Sequence, residues 1–401
     1  MFNDLIINDS PDIIKFLNKL NLDLYLSKPQ FRHMTVFLLS MALKGFKGKI
    51  SDVNDFDTKK HRTTISRFIN KSPWDESLLL EDMKRYAINR IWEYSRDTGK
   101  PVYIIIDDTV NEKTVPSSKA QRNIQGCSFH NSHLKIKTVY GHQFVTVMLR
   151  YEDLVLPYDI ILYQKDDMSK IEVAKNALAE FPVPPNKGYV LTDSWYSCDA
   201  LFNAAECIGF KHMGALKSNR KIFPRGHKKD GIKISDFIKT LKQHELDVVT
   251  IGGKTYYTYT YLGKINGVKK VKIIMSWPKK ALWNKHALKC FISLDIELST
   301  KQILNHYLKR WPIETFFRET KQKLGFNKYQ IHTIKGIKRY MYLLMTMYLY
   351  CELNVTGESL SFSKGLKKCR SEVKKFEITR IYTLATQGAS LENIFKSYKI
   401  L

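Results

Sequence analysis

Acidic residues are scarce in this chain of 401 residues: 39 Asp and Glu stand against 65 Lys and Arg, which leaves a formal net charge of +26 at pH 7. An excess of this size attracts polyanions, so nucleic acid is the leading candidate partner. Hydrophobic residues make up 44% and aromatic residues 12% of the chain, which excludes disorder throughout. At this length we expect two or three hydrophobic cores.

Cysteines are also few, since the chain has six and none of them forms a CxxC pair or a zinc-type spacing. This pattern argues against a disulfide framework and against a structural metal site. Long apolar runs are missing too, because the longest, residues 340–350, is about half of the roughly 20 residues that a membrane span needs. The first residues do not resemble a signal peptide. We therefore expect no membrane segment, a buried core helix at 340–350 and a cytoplasmic location.

Changes in the spacing of apolar residues divide the chain into three regions. Residues 1–98 have helical spacing and predict an N-terminal helical domain that binds DNA. Residues 99–353 alternate apolar runs with helical stretches, which predicts an α/β core. Within them, residues 221–293 change to a period of two around Asn266-Gly267, which predicts a β-hairpin in an inserted β-rich subdomain. Residues 354–401 predict a C-terminal helical tail.

Basic side chains concentrate in two stretches that could contact DNA. Arg62 and Arg67 belong to a short amphipathic segment, which we interpret either as a helix that docks on phosphate or as an ordinary solvated basic helix. Lys217 and Arg220 lie in a second basic stretch, residues 211–233, that predicts a track for the DNA backbone.

Two apolar runs lead directly into acids, Asp107-Asp108 after residues 102–106 and Asp193 after residues 188–192. These runs predict buried strands, and functional side chains gather at the carboxyl ends of strands in an α/β layer. Adjacent strand residues point to opposite faces, so only one of Asp107 and Asp108 would face a site unless the strand ends between them. For Asp193 the alternative is a turn residue or helix N-cap.

The most informative stretch is residues 304–325. On a helix with 100° per residue, Tyr307, Arg310, Glu314 and Lys321 fall within about one sixth of the circumference and form one polar stripe. Such a stripe is either a surface ladder of ion pairs or a carboxylate set among phosphate-binding cations. Pro312 should kink or restart the helix just before Glu314.

The spacing Tyr307-x2-Arg310-x3-Glu314-x6-Lys321 is similar to the Tyr-Arg-Glu-Lys signature of the IS4-type transposases, the DDE transposases that include the Tn5 and Tn10 enzymes. The two strand-end blocks resemble the first and second acid motifs of that family, in the same order.

The resemblance covers roughly residues 101–353 and implies an RNase H-like catalytic core with a β insertion between the second Asp and the Glu. The family pattern places its first acid directly after the apolar run, which favours Asp107. Other members place that acid directly before Thr, which would favour Asp108.

The resemblance also implies a function. It implies a transposase that binds the terminal inverted repeats of an insertion sequence, cleaves double-stranded DNA and joins the ends to a target, as a homodimer in the synaptic complex. Two Mg²⁺ ions, with Mn²⁺ able to substitute, would activate water and stabilise the leaving 3′ oxygen. They would be held by Asp107, Asp193 and Glu314, and DNA phosphates would be bound by Tyr307, Arg310 and Lys321.

Two other classes share parts of this pattern. One is a catalytically inactive or domesticated transposase-derived protein that binds DNA, which would keep the basic stretches and lose one of the acids. The other is a nuclease that cleaves and never joins. All three acids and all the cations of the signature are present, which favours the active transposase.

The positive charge predicts salt-sensitive DNA binding. Each phosphate neutralised contributes about −0.9 to the slope of log K against log salt, so affinity should fall by orders of magnitude between low and moderate salt. Fluorescence anisotropy of a labelled duplex in a salt series measures the slope. A flat response would contradict the prediction that the basic stretches bind the DNA backbone.

Overall fold

The computed structural model describes residues 11–45, 53, 61–119, 123–132, 136–353 and 361–398. In this part of the chain, one mixed sheet of 12 strands runs through the molecule. The strands are β1 Val102–Glu112, β2 Ser128–Ser132, β3 Lys137–Tyr151, β4 Leu154–Tyr163, β5 Gly188–Thr192, β6 Lys211–Leu216, β7 Lys221–Ile222, β8 Ile232–Lys233, β9 Asp247–Ile251, β10 Lys254–Ile265, β11 Val268–Pro278 and β12 Lys289–Ser293.

Helices surround this sheet and precede it in the chain. They are α1 Pro11–Lys19, α2 Leu22–Tyr25, α3 Lys28–Lys44, α4 Arg62–Asn70, α5 Glu76–Thr98, α6 Lys170–Ala179, α7 Asp199–Cys207, α8 Ile234–Phe237, α9 Thr300–Leu308, α10 Pro312–Glu319, α11 Ile334–Leu353, α12 Phe362–Thr386 and α13 Leu391–Tyr398. The helical pattern predicted for the first 98 residues is therefore present wherever the structure describes them, and the protein is a mixed α/β structure.

The order of the strands explains why β1 lies in the middle. The sheet runs β2-β3-β1-β5-β6-β12-β11-β10-β7-β8, with β4 added beside β3 and β9 beside β10. β1 pairs antiparallel with β3 and parallel with β5, and β5 pairs parallel with β6. Residues 102–106 are fully buried, as expected for a central strand that reads as a continuous apolar run.

The structure differs from the prediction at the end of β1. The strand continues past the apolar run, through Asp107 and Asp108 to Glu112. The reason is that β3 pairs with β1 as far as Glu112, whereas β5 ends at Thr192, opposite Ile106. The first acids thus lie within a strand at the point where its parallel neighbour stops. The prediction for β5 is confirmed, because Asp193 follows its last residue directly.

Residues 221–293 extend the same sheet. β10 and β11 form a hairpin whose two-residue turn is Asn266-Gly267, with φ of +78° at Gly267, so the predicted hairpin is confirmed. The segment joins the rest of the sheet because β12 pairs antiparallel with β6. Its apolar side chains form a second hydrophobic cluster that includes Ile273, Met275 and Trp277. Its independence as a subdomain stays a prediction.

The N-terminal helices pack on the rest of the chain through α11. One hydrophobic cluster reaches from Ile13 to Val373 and contains residues of the N-terminal helices, β1 and α11. Every residue of 340–350 is buried except Tyr342, which confirms the predicted core helix. In the ranges that the structure describes, no helix has the length and apolar character to cross a membrane.

A buried arginine joins α11 to the N-terminal helices. The side chain of Arg339 is 0% exposed, and its Nε donates to a carboxylate oxygen of Glu76 at 2.9 Å. Its Nη atoms donate to backbone carbonyls in the last turn of α4 and just after it, among them Ser72 O at 2.9 Å, and its guanidinium lies 4.2 Å from the ring centroid of Trp74. This one side chain satisfies carbonyls that would otherwise be buried without donors.

We predict that Arg339→Met lowers the free energy of unfolding by about 3 kcal/mol, because it leaves Glu76 and several carbonyls without their donor. Chemical denaturation measures the change. Lys338→Met, an exposed neighbour on the same helix, is the matched control and should shift stability by less than about 0.5 kcal/mol. Equal effects from the two variants would contradict the role of Arg339.

Candidate active site

The first two acids of the site are neighbours because of strand register. Ile106 pairs with Thr192 in the parallel ladder, so the residues that follow them, Asp107 and Asp193, continue side by side, and adjacent strands lie about 4.8 Å apart. Burial and the negative charge of Asp193 raise the pKa of Asp107 to about 7, against the opposing effect of Arg310. Two carboxylates this close repel each other, so a positive charge beside them is stabilising.

Arg310 supplies positive charge and links the first acid to the third. Its Nη1 donates to Asp107 Oδ2 at 3.0 Å, and its Nη2 donates to Glu314 Oε1. One guanidinium therefore bridges two carboxylates that come from β1 and α10. The predicted acids Asp107, Asp193 and Glu314 are in this way brought to one place.

The structure corrects the predicted single helix. α9 ends at Leu308 and α10 begins at Pro312, with a turn between them that carries Arg310. Proline has no N–H to donate and is favoured at the first position of a helix, so the helix restarts there, as Pro312 predicted. The four polar residues are therefore not a stripe on one continuous helix, and the turn rather than helical periodicity directs Arg310 toward Asp107.

Tyr307 lies on α9 beside the acids. Its ring centroid is 4.8 Å from that of Phe291 and 5.8 Å from the guanidinium carbon of Arg310. Burial raises its pKa, and the charges of Asp193 and Asp107 raise it further while Arg310 opposes them. The structure thus brings Tyr307 into the same electrostatic environment as the acids.

Lys321 reaches the site from a single π-helical turn, Thr320–Leu324, that follows α10. Its Nζ donates to Oγ1 of Thr109 at 2.6 Å, on β1 two residues beyond Asp107. Burial lowers its pKa to about 8. All four residues of the signature therefore lie along the edge where β5 ends, and they reach it from four consecutive segments: α9, the turn after it, α10 and the π-helical turn.

Asp108 has a separate set of partners. Its carboxylate accepts hydrogen bonds from Lys170 Nζ at 2.8 Å, from Tyr196 OH at 3.0 Å and from Gln143 Nε2. Lys170 and Asp108 are 14% and 15% exposed, so this is an almost buried ion pair. Asp108 is already neutralised, whereas Asp107 shares its cation with Glu314. The geometry favours Asp107 over Asp108 as the acid available to a metal.

An open cleft of about 730 Å³ lies in front of these residues. We call it the acidic cleft, and it is lined by Asp107, Asp108, Asp193, Lys170 and Trp195, together with residues of β2 and β3. A second opening of about 510 Å³, the basic cleft, is lined by Lys217, Arg220, Lys221, Asn219, Asn266 and again Trp195. The two clefts meet at the Trp195 ring.

The predicted DNA-binding residues divide between these places. Lys217 and Arg220 are exposed and line the basic cleft, where Arg220 Nη2 donates to Ser197 O at 2.8 Å. Arg67 is exposed and lines a cavity between α3 and α4 that does not include the acids. Arg62 begins α4, and its side chain lies outside the described residues.

The acids match the donor set of a hard divalent cation, since Mg²⁺ prefers carboxylate oxygens. Among the residues that the structure describes, no three His, Cys, Asp or Glu side chains stand close enough to hold a metal ion as they are. Arg310 lies between Asp107 and Glu314 and forms an ion pair with each. The carboxylates of Asp107, Asp193 and Glu314 would supply hard oxygen donors, so these residues fit such an ion once the guanidinium moves.

Three contributors escaped the sequence analysis: Lys170, Gln143 and Tyr196. Lys170 begins α6 directly after the N-cap Ser169. The helix dipole disfavours a cation at this position, which was a signal that Lys170 has a charged partner outside its own helix. Gln143 is 6% exposed within the long apolar strand β3, so its polar side chain needed a buried partner.

The site therefore holds Asp107 and Asp193 as neighbours and Glu314, which Arg310 links to Asp107. Residues 99–350 match the family model described as Transposase DDE domain, and the chain belongs to this family of transposases. A comparison with the curated proteins finds no match. Among solved structures, the chain is similar to a piggyBac transposase seen by cryo-EM in a synaptic complex with hairpin DNA, with 12% identity, a TM-score of 0.45 and coverage of 95% of this chain and 81% of that one.

The Asp108 arrangement predicts the effect of removing its cation. Lys170→Met should lower the free energy of unfolding by about 3 kcal/mol, because it leaves an almost buried carboxylate unpaired. Lys175→Met, an exposed residue on the same helix, is the control and should have little effect. In a double-mutant cycle measured by chemical denaturation, adding Asp108→Asn should recover part of the loss. Strict additivity would show that the two side chains do not interact.

Proposed function

We propose that this protein is an IS4-type transposase that binds the terminal inverted repeats of an insertion sequence and carries out metal-dependent cleavage and strand transfer. Family membership supports the class, and the Tyr307, Arg310, Glu314 and Lys321 spacing supports the type. The observation that carries the proposal is the bridge from Arg310 to Asp107 and Glu314, beside Asp193. It joins two of the three acids that the chemistry requires, and strand register puts the third, Asp193, beside Asp107.

The strand order supports an RNase H-like core. An antiparallel meander of β1, β3 and β4 is followed by β5 and β6, both parallel to β1, with helices between them. The β-rich segment at 221–293 enters between Asp193 and Glu314. In this proposal residues 1–98 form a DNA-binding domain, residues 99–353 the catalytic domain and residues 354–401 a helical tail.

Asp107, Asp193 and Glu314 are the residues that would hold two Mg²⁺ ions, with Mn²⁺ able to substitute. When bound, the ions supply an activated water and stabilise the leaving 3′ oxygen. The protein's own part is to position DNA. Arg310 exchanges its carboxylate partners for a phosphate, which a guanidinium binds through two parallel hydrogen bonds. Tyr307 and Lys321 hold the same strand from either side.

The partner in this proposal is double-stranded DNA, both transposon ends and target. The net charge of +26 supports it, and Lys217, Arg220, Arg62 and Arg67 provide contacts away from the acids. Because two ends must be brought together before strand transfer, a homodimer is the proposed working form. The proposed location is the bacterial cytoplasm, at the nucleoid while the enzyme acts.

Cleavage of a labelled duplex that carries the inverted-repeat end, with Mg²⁺, tests the proposal. Asp107→Asn, Asp193→Asn and Glu314→Gln should each slow cleavage by more than about 100-fold and keep DNA binding, since several kcal/mol of transition-state stabilisation depend on the metal. Glu319→Gln is the matched control, because this acid lies on the same helix as Glu314 and pairs with Lys323 instead. It should cleave at the wild-type rate.

Other outcomes identify the competing classes. Binding of the repeats without cleavage in Mg²⁺ or Mn²⁺ would identify a catalytically inactive or domesticated DNA-binding protein. Cleavage without joining of paired ends would identify a nuclease. Loss of cleavage in Asp108→Asn but not in Asp107→Asn would identify Asp108, instead of Asp107, as the first metal ligand.

A further inference from the structure

An exposed tryptophan stands next to the acids. Trp195 follows Asp193 by two positions, and 47% of its surface is exposed. Its backbone N–H donates to Asp193 Oδ1 at 2.9 Å, so the segment that carries the ring is tied to an acid of the site. The next residue, Tyr196, is fully buried. The chain therefore buries one aromatic ring here and leaves its neighbour in solvent.

Two ammonium groups flank this ring. Lys170 Nζ lies 4.5 Å and Lys217 Nζ 5.1 Å from the ring centroid, both within the range of a cation–π interaction. Lys170 is also held by Asp108 at 2.8 Å, which fixes its position. Lys217 is exposed, so it is the cation that an incoming group can displace from the ring.

The ring also forms the border between the acidic cleft and the basic cleft, since it lines both. A DNA strand that has a phosphodiester at Asp107 and Asp193 and its next phosphates at Lys217 and Arg220 must pass over Trp195. Every base has a π-face, so an aromatic ring on such a path binds a base whatever its identity.

We propose that Trp195 stacks on one unpaired nucleobase of the strand being cleaved, and that Lys217 then contacts the phosphate beside that base. The proposal rests on the proposed function and adds a binding site to it. Taking a base out of a duplex costs a few kcal/mol, and stacking on an exposed ring offsets part of that cost. The site takes single-stranded nucleotide, and its chemistry requires no particular sequence.

The test uses the full chain, without metal so that no cleavage occurs, and a single-stranded oligothymidylate that carries one 2-aminopurine. Stacking quenches the fluorescence of this base, while anisotropy of a labelled copy measures binding. Wild type should quench the probe, and Trp195→Ala should abolish the quenching and weaken binding by about 10-fold. Trp195→Phe, which keeps a ring, should retain most of both.

Trp283→Ala is the matched control, because Trp283 is 39% exposed and lies on the β-rich segment away from both clefts. The Trp283→Ala variant should quench the 2-aminopurine probe as much as wild type does. Quenching that survives in Trp195→Ala, or that disappears in Trp283→Ala instead, would overturn the proposal and leave the proposed function intact. Binding of duplex DNA alone, without any quenching, would also overturn the proposal and leave the proposed function intact. Failure of every DNA to bind at low salt would overturn the proposed function itself.

Discussion

Repulsion between carboxylates at the end of β5 is the constraint on which the site depends. Asp107 and Asp193 extend paired positions of adjacent strands, and burial together with the negative charge of Asp193 raises the pKa of Asp107 to about 7. The fold offsets this repulsion with one guanidinium, and Arg310 binds both Asp107 and Glu314. Loss of this guanidinium would leave Asp107 beside Asp193 without a compensating positive charge.

The surroundings keep the two neighbouring acids of β1 in different roles. Asp108 is matched by Lys170, Tyr196 and Gln143, and this network fixes the start of α6 against the strand. Lys170 also contacts Trp195, so the ion pair that neutralises Asp108 helps to hold the ring that separates the acidic and basic clefts. The ion pair that balances the charge of Asp108 and the proposed DNA path past Trp195 therefore lie in the same acidic cleft.

The N-terminal helices meet the sheet that carries the acids in two ways, through α5, which packs on β1, β3 and β4, and through α11. This helix is buried along most of its length, and Arg339 connects it to Glu76 and to the carbonyls after α4. A helix pattern in the first 98 residues could be read from the sequence, but their packing into the same hydrophobic cluster as β1 could not. Apolar periodicity shows which face of a helix is buried and does not show what covers it.

The sequence by itself determined the local elements whose signals are short-range: the apolar run of β1, the Asn266-Gly267 hairpin, the buried helix at 340–350 and the restart of the helix at Pro312. It also contained the spacing of Tyr307, Arg310, Glu314 and Lys321. Only the tertiary structure decided that β1 runs on to Glu112, because the strand is held there by β3 while β5 has stopped. Likewise, only the tertiary structure shows that Asp107 pairs with Arg310 while Asp108 pairs with Lys170 and Gln143, partners far apart in the chain. Hydrogen bonds and charges act through space, so the order of these residues in the sequence does not show which of them are in contact in the folded protein.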